Sequence, residues 1–338
     1  MAENHAIGSE PSIKITRRQS LLALGTAISA SAGQELLEQW RKIAAGTDGV
    51  VGAAALRLGS GRLSSLNGNE RFPLASVCKL PIAMNLLALV DEEKFALSQE
   101  IEVLPRDVVS SVSPLAGRWP AQRRFPLKEM IELMVARSDN TAVETLFRIG
   151  GEGPALSARF REWKIEGVRV DRSERQCGLD RNGVLHYPPP AEWTDEIVHA
   201  LIAKTTPEVQ YRATRRYLRD PRDTGTPNGT VQLLVRAFSG EALSKSSTAL
   251  LIDVLKATTT FPTRLKGLLP TGTVVAHKTG STGTLKGLTA ATNDSGVIFL
   301  PGGGLLAVSV CVKASTRNDA VRDSIIARIA RAAFNYHL

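Results

Sequence analysis

Residues 76–90 read SVCKLPIAMNLLALV, which places a hydroxyl and an amine three positions apart at the start of a long apolar segment. The apolar run predicts a helix over 76–90, with Pro81 near its first turn, where a missing N–H is tolerated. Residues i and i+3 are neighbours on one helix face. A serine becomes a nucleophile when a nearby base takes its proton, and a partly deprotonated lysine is such a base. We therefore predict that Ser76 is a nucleophile and that Lys79 lies against it.

Two further short motifs follow along the chain. Ser138-Asp139-Asn140 splits two helical stretches within 126–149, and these residue types favour helix caps. Lys278-Thr279-Gly280 follows the strand-like run TVVAH, and a glycine there is an ordinary turn signal. Each motif alone is compatible with a purely structural role.

The order of the predicted elements indicates the fold class. Strands are predicted near both ends of the chain, over 50–58, 62–66, 273–278, 285–293 and 304–312. Helices are predicted at 34–45, at 318–336 and through the middle. This order favours an α+β (mixed α/β) fold, an antiparallel sheet flanked by N- and C-terminal helices with an all-α region inserted. We expect an α/β subdomain from 33–70 and 261–338, and an all-α subdomain from 71–260.

The N-terminal segment has the pattern of a targeting signal. Arg17-Arg18 precedes a short apolar run, and Ala30-Ser31-Ala32 is a small-x-small cleavage site. Paired arginines before a modest apolar core are typical of a twin-arginine signal, so 1–32 is predicted to direct export to the periplasm or beyond. The alternative is a basic start to the first helix. Nowhere else does the sequence approach the roughly 18 to 20 apolar residues that a membrane span needs.

Composition narrows the partners. The 338 residues carry 42 Lys and Arg against 33 Asp and Glu, a formal net charge of +9. This balance suits anionic surroundings or a basic solvated surface. The sequence contains no zinc-finger spacing and no basic-aromatic motif, so no nucleic-acid partner is predicted. Three cysteines make no disulfide framework, and Cys78 is interpreted as packing. We predict no metal, no cofactor and a monomer.

The three motifs in the order Ser-x-x-Lys, Ser-Asp-Asn, Lys-Thr-Gly resemble the signature of class A β-lactamases and penicillin-binding proteins. The resemblance extends from about residue 34 to the C-terminus. It implies that Ser76 is the acylation nucleophile and that Lys79 is a base or a charge that positions one. It also implies that Ser138 relays a proton to the leaving ring nitrogen, and that Asn140 orients Lys79 and binds the substrate amide.

The resemblance implies a carboxylate site and an oxyanion hole as well. Lys278 and Thr279 would bind the carboxylate of a β-lactam substrate by charge-assisted hydrogen bonds, with Gly280 completing the motif. The backbone N–H groups of Ser76 and Ser281 would form the oxyanion hole. Two lysines so placed, Lys79 and Lys278, should lower each other's pKa.

Two more segments resemble the family's Ω-loop. Arg172-Ser173-Glu174 matches its Arg-x-Glu, which implies that Glu174 activates the deacylating water. DPRDTGTP at 220–227 is similar to the segment that closes the loop, which implies an ion pair between Arg172 and Asp223. Arg264 falls where some members place an extra carboxylate-binding arginine.

The chain departs from the family pattern after Glu174. Arg175 and Gly178 stand where the family usually has Pro and a water-holding Asn, and Asp223 comes 49 positions after Glu174. The excess is interpreted as an inserted helical hairpin at 180–219 beside the active-site mouth. Its first helix would align Trp193, Ile197 and Leu201, and its second would be capped at Thr206 with Pro at the first position.

Three functions remain open from the sequence. The first is a serine β-lactamase that works through a Ser76 acyl-enzyme. The second is a related hydrolase of peptidoglycan peptides or esters that turns over β-lactams slowly or not at all, which the missing Asn favours and Glu174 opposes. The third is a non-hydrolytic sensor, which would need no proton relay.

Overall fold

An antiparallel sheet joins the two ends of the chain. The computed structural model describes residues 33–338, and the signal predicted at 1–32 lies outside the described residues. The strands of the main sheet follow the order β2-β1-β10-β9-β7, with β8 paired to β9. Their bounds are β1 Val50–Arg57, β2 Leu63–Leu66, β7 Val275–Ser281, β8 Thr284–Leu285, β9 Leu288–Phe299 and β10 Leu305–Ser315. Four short strands make two small ribbons: β3 Phe72–Pro73 with β6 Thr224–Gly225, and β4 Glu100–Glu102 with β5 Arg124–Pro126.

Helices account for most of the intervening chain. Their bounds are α1 33–44, α2 Lys79–Asp91, α3 Leu127–Ala136, α4 Asn140–Ile149, α5 Glu152–Glu162, α6 Glu174–Arg181, α7 Asp195–Ala203, α8 Pro207–Tyr217, α9 Pro227–Ser239, α10 Lys245–Lys256 and α11 Asp319–Tyr336. Short 3₁₀ turns lie at Ala75–Cys78, Pro105–Asp107 and Pro190–Glu192. None of the helices within 33–338 has the length and apolar character needed to span a membrane.

The sheet separates two apolar cores. Alternate residues of a strand point to opposite faces, so Leu306 and Val308 of β10 pack with α1 and α11, whereas Ala307 joins the core with α2, α3, α9 and α10. Trp40 of α1 is fully buried and its indole donates a hydrogen bond to the Ile329 carbonyl of α11 at 3.2 Å. The predicted fold class is confirmed: an antiparallel sheet flanked by terminal helices, with a helical region between its strands.

Several boundaries differ from the sequence predictions. The helix expected from residue 76 begins at Lys79, because Ala75–Cys78 form a 3₁₀ turn instead. From Lys79 to Ala88 every residue of α2 is buried, as expected for a helix at the centre of a bundle. In α7 the buried residue is Val198, and Ile197, predicted to face inward, is 38% exposed.

Candidate active site

The nucleophile candidate lies in a strained turn between a strand ribbon and the central helix. Ser76 belongs to the 3₁₀ turn Ala75–Cys78, immediately before α2. Ala75 has φ of 47°, in the left-handed region that a residue with a Cβ rarely occupies. Strain of this kind persists only where the surrounding packing imposes it, and it is concentrated at functional sites.

Lys79 is fully buried at the first position of α2. Its ammonium donates hydrogen bonds to the Ser138 carbonyl at 2.7 Å, to Ser138 Oγ at 3.2 Å and to Asn140 Oδ1 at 2.6 Å. Within the described part of the chain the hydrogen bonds of its Nζ go to Ser138 and Asn140, whereas its backbone N–H donates to the Ser76 carbonyl. That the Lys79 side chain lies against Ser76, as helical spacing indicates, stays a prediction.

Ser138 stands between the two lysines of the motifs. Its Oγ accepts hydrogen bonds from Lys79 Nζ at 3.2 Å and from Lys278 Nζ at 3.1 Å. A hydroxyl has two acceptor lone pairs and one proton to donate. With both lone pairs engaged by ammonium groups, the proton of Ser138 is left to point toward a third group, such as a bound substrate.

Burial lowers the pKa of both lysines. The pKa of Lys278 falls to about 7, first because the side chain is buried and second because the Lys79 charge is close. The pKa of Lys79 is also lowered by burial, and the carboxylate of Glu174 acts in the opposite direction. Part of the Lys278 amine is therefore available as a base near neutral pH, which an unperturbed lysine would not provide.

Strand β7 brings the third motif against the nucleophile turn. A Cβ added at Gly280 would lie 2.6 Å from the Leu74 carbonyl oxygen and 3.1 Å from Ser76 N, so only glycine allows this approach. Ser281 follows it, and Thr279 shares a 2.6 Å hydroxyl contact with Thr260. The end of β7 thus lies beside the Ser76 amide, where the sequence predicts an oxyanion hole.

Arg264 reaches the same strand from a buried position. Its guanidinium pairs with Asp323 at 2.8 Å, donates to the Gly280 and Asn293 carbonyls, and contacts Ser281 Oγ at 2.6 Å through Nη2. The side chain is 1% exposed. Its contact on the cleft side is thus Ser281, and direct binding of a substrate carboxylate by Arg264 stays a prediction.

Glu174 is the first residue of α6. Ser173 caps the helix, its hydroxyl accepting the Gln176 N–H at 3.3 Å. Glu174 lines a cavity of ≈ 50 Å³ between α6, the nucleophile turn and the end of β7. The other residues that line this cavity include Ala75, Cys78, Cys177, Gly178 and Ser281. The volume is sufficient for at least one water molecule.

Gly178 lies one helical turn after Glu174 and lines the same cavity. A Cβ added there would meet no heavy atom within 4 Å, so the place where the family pattern has Asn is open space. Cys78 also borders the cavity, and burial raises the pKa of its thiol to about 12. It stays protonated at neutral pH, in keeping with its interpretation as packing.

Glu144 is a site residue that the sequence analysis missed. It is buried on α4, and its Oε1 accepts the N–H of Arg175, the residue directly after Glu174, at 2.8 Å. Burial is the main reason that its pKa is raised to about 7. The signal was available, since Glu144 is four residues after Asn140 and therefore on the same helix face.

The Arg172–Asp223 ion pair closes the loop that carries Glu174. Arg172 Nε lies 2.5 Å from Asp223 Oδ2, and its Nη1 contacts Asp180 at 2.6 Å and Asp220 at 3.2 Å. Asp223 also accepts the backbone N–H groups of Asp171 and Arg172. These bonds join the two ends of a segment that contains α6, α7 and α8. Within 33–338 no group of three or more His, Cys, Asp or Glu side chains is arranged to hold a metal ion.

The buried serine–lysine network, with a carboxylate across a small cavity from the nucleophile turn, is the arrangement of a serine acyl-transfer hydrolase. Comparison with known proteins identifies the family. The family model described as "Beta-lactamase enzyme family" matches residues 35–337. The chain therefore belongs to the β-lactamase enzyme family, and it is a class A serine β-lactamase, a hydrolase acting on β-lactams.

Individual relatives agree with this assignment. The chain is 32% identical to the extended-spectrum β-lactamase PER-1 of Pseudomonas aeruginosa, over 96% of this chain and 94% of that protein. It is 28% identical to the β-lactamase VEB-1 of the same organism, over 85% of each. Among solved structures, a β-lactamase from Chitinophaga pinensis aligns with TM-score 0.76 and 32% identity, covering 90% of this chain and 100% of that one.

Proposed function

We propose that the enzyme opens the β-lactam amide through an acyl-enzyme on Ser76. Ser76 Oγ attacks the lactam carbonyl carbon and gives its proton to the neutral Lys79 amine, the ring C–N bond breaks, and the ring nitrogen takes a proton from Ser138, which Lys79 then restores. The observation that carries this proposal is the position of Ser138 Oγ between two buried lysines, 3.2 Å from Lys79 and 3.1 Å from Lys278. This geometry leaves the Ser138 proton free to donate and provides amines whose lowered pKa lets them restore it.

The substrate is held by groups on β7 and α4. Lys278 and Thr279 bind the carboxylate of the β-lactam, and Arg264 acts on this site by fixing Ser281 through their 2.6 Å contact. Asn140, already bound to Lys79, offers its amide N–H to the substrate's acylamino oxygen. The N–H groups of Ser76 and Ser281 stabilise the oxyanion that forms on the attacked carbonyl.

The acyl-enzyme is hydrolysed from the α6 side. Glu174 takes a proton from a water in the cavity beside Ser76, the water oxygen attacks the ester carbonyl, and Ser76 leaves with a proton. Asn is absent from the usual place below this water, where Gly178 leaves open space. The water is then positioned by Glu174 alone among the residues predicted for this step. This feature favours slower deacylation, as in the alternative function of a peptidoglycan peptide or ester hydrolase.

One experiment separates the two functions. The protein without residues 1–32 is mixed with a chromogenic cephalosporin, and turnover and intact mass are followed together. We expect turnover that is lost in Ser76→Ala, and an acyl adduct that accumulates in Glu174→Gln. A long-lived adduct on the unaltered protein would favour the alternative, and no adduct on either protein would contradict the assignment of Ser76.

We further propose that the enzyme is exported and acts as a monomer. Support for export comes from the twin-arginine pattern at 17–18 and the small-x-small site at 30–32. Fractionation of cells that express the chain, with Arg17-Arg18 replaced by Lys-Lys as the control, tests the route. Activity of the double lysine variant outside the cytoplasm would contradict it.

A further inference from the structure

We infer that the inserted segment 180–219 braces both sides of the active-site cleft. Asp195 is its positioning residue on the side that carries Asn140 and Glu174, and the Glu208–Lys286 ion pair holds the other side, next to Ser281. This inference rests on the proposed function. The insertion would thereby take over part of the task of holding Glu174 and Asn140 in their reactive positions, in a chain that lacks the Asn expected at Gly178.

One chain of contacts leads from Asp195 to Asn140. Asp195 is the first residue of α7, and its Oδ2 accepts the Ser110 N–H at 3.1 Å. The next residue, Ser111, accepts a hydrogen bond from Asn140 Nδ2 at 3.0 Å through its carbonyl. Asn140 in turn holds Lys79. Asp195 therefore fixes the loop that orients the substrate-binding amide.

A second chain of contacts leads from Asp195 to Glu174. The other oxygen of Asp195 lies 3.4 Å from Arg175 Nη2, and the same nitrogen donates to the Val108 carbonyl. Arg175 is the neighbour of Glu174 in the chain, and its guanidinium is buried. An arginine that is held at one end by Asp195 and at its backbone N–H by Glu144 has little freedom to move. The direction of α6 at Glu174 depends on these two contacts.

The insertion is rigid enough to act as a brace because it has its own apolar core. Trp193 and Val198 pack with Leu179, which belongs to α6. The Trp193 indole also donates to the Pro188 carbonyl at 2.6 Å. Beyond α6, α8 packs so closely on Gly183 that a Cβ there would lie 2.8 Å from Val209. The helix that begins with Glu174 is thus part of the same small core.

The Ser281 side of the cleft is contacted by residues at the start of α8. Glu208, in the first turn of α8, pairs with Lys286 at the tip of the β8–β9 hairpin, and α8 packs on both strands. This hairpin begins at Thr284, soon after Ser281 ends β7, on the side of the cleft where the oxyanion hole is proposed. The two side chains are 65% and 42% exposed, so the pair adds little to global stability. Its effect on catalysis can therefore be measured separately from folding.

The role of Asp195 on the side of Asn140 and Glu174 is tested with Asp195→Ala and Asp195→Asn, and Glu196→Ala is the matched control. Glu196 is the adjacent acid of the same helix turn and is solvent-exposed. We expect Asp195→Ala to slow cephalosporin turnover on the order of ten- to a hundredfold, because small displacements of catalytic groups are costly. An acyl adduct should accumulate, since Glu174 is the group displaced. Asp195→Asn keeps an acceptor for Ser110, so its turnover should lie between that of Asp195→Ala and that of the unaltered protein.

Amide hydrogen exchange provides a readout that does not depend on catalysis. Asp195→Ala should lose protection at 105–112 and in α6, and Glu196→Ala should not. A variant with unchanged turnover and unchanged protection would overturn the inference. If the unaltered protein failed to hydrolyse any β-lactam, the proposed function would fall while the exchange data still decided whether the brace exists.

The Glu208–Lys286 ion pair on the Ser281 side of the cleft is tested by charge reversal. Lys286→Glu and Glu208→Lys should each raise KM for a cephalosporin with a bulky side chain severalfold with unchanged melting temperature, and the double reversal should restore it. A double variant whose KM is as high as that of the single variants would show that the ion pair does not hold the Ser281 side of the cleft.

Discussion

The two buried lysines are costly to the fold, and that cost is informative. Desolvation disfavours a charged amine, and each ammonium also disfavours the other. The chain offsets this with hydrogen bonds from both amines to Ser138, and from Lys79 to Asn140. A network of this kind is retained because it sets proton positions, since apolar residues of the same volume would often be as stable or more so.

The charge of Lys278 should make substrate binding depend on pH. With a pKa of about 7, this amine is protonated below that pH and loses its charge above it. We expect KM for a penicillin to rise between about pH 6 and about pH 9, because the attraction for its carboxylate weakens. In Lys278→Arg the guanidinium stays charged, so KM should vary much less over this range. Steady-state kinetics across the range measures both proteins, and equal profiles would contradict the role of Lys278.

Individual residues also show what spacing along the chain cannot predict. The i, i+3 rule predicts that Lys79 lies beside Ser76, and the structure adds contacts of Lys79 with Ser138 and Asn140, which are about sixty positions away in the chain. A spacing rule describes neighbours along one helix and carries no information about contacts between distant segments. The family resemblance implied that Asn140 orients Lys79, and Asn140 Oδ1 accepts a 2.6 Å hydrogen bond from Lys79 Nζ.

Among the elements, β7 has the most demanding fit. Its last residues continue the ladder with β9 as far as Ser281, three residues beyond the predicted end of the strand. Gly280 packs on the backbone of the nucleophile turn at a distance that excludes any side chain. The strand and the turn therefore behave as one unit that fixes both N–H groups of the proposed oxyanion hole.

Substitution of Gly280 tests this fit. In Gly280→Ala the Cβ would lie 2.6 Å from the Leu74 carbonyl, so the strand must move. We expect a loss of about 1–3 kcal/mol in the free energy of unfolding and a marked fall in the rate of acylation. Gly283→Ala is the matched control, because a Cβ there would meet no atom within 4 Å. Stopped-flow acylation and urea unfolding measure both, and an unchanged acylation rate would contradict the role of this contact.

For the molecule as a whole, Glu144 should make stability depend on pH. Its pKa is about 7, above the 4.5 of an ordinary glutamate, so the native state holds a proton that the unfolded chain releases. Stability should therefore fall as pH rises from about 4.5 to about 7. Glu144→Gln imitates the protonated form. It should be more stable than the parent above about pH 7, by up to about 3 kcal/mol, and equal to it in acid.

Urea unfolding near pH 5 and near pH 8 measures this difference. Glu132→Gln on α3, a half-buried glutamate whose side chain is 46% exposed, is the control for the loss of one carboxylate. A Glu144→Gln variant whose advantage was the same at both pH values would contradict the pKa shift as its cause.

The fold class and the order of the site motifs could be predicted from the amino-acid sequence alone. Periodicity and turn signals located both terminal helices and the strands of the sheet, and Thr206 and Pro207 start α8 as predicted. Gly178 marked the departure beside Glu174. These features are local, because helix caps, strand alternation and motif order are written in neighbouring residues.

The contacts between side chains that are distant in the chain became visible only in the three-dimensional structure. Glu144 on Arg175, Asp195 on Ser110, and Arg264 on Ser281 join segments that are 17 to 85 positions apart. Such contacts depend on how whole elements pack, and no local propensity specifies them. The pKa values near 7 of Lys278 and Glu144 have the same origin, since burial that is set by packing, and not residue type, moves them there.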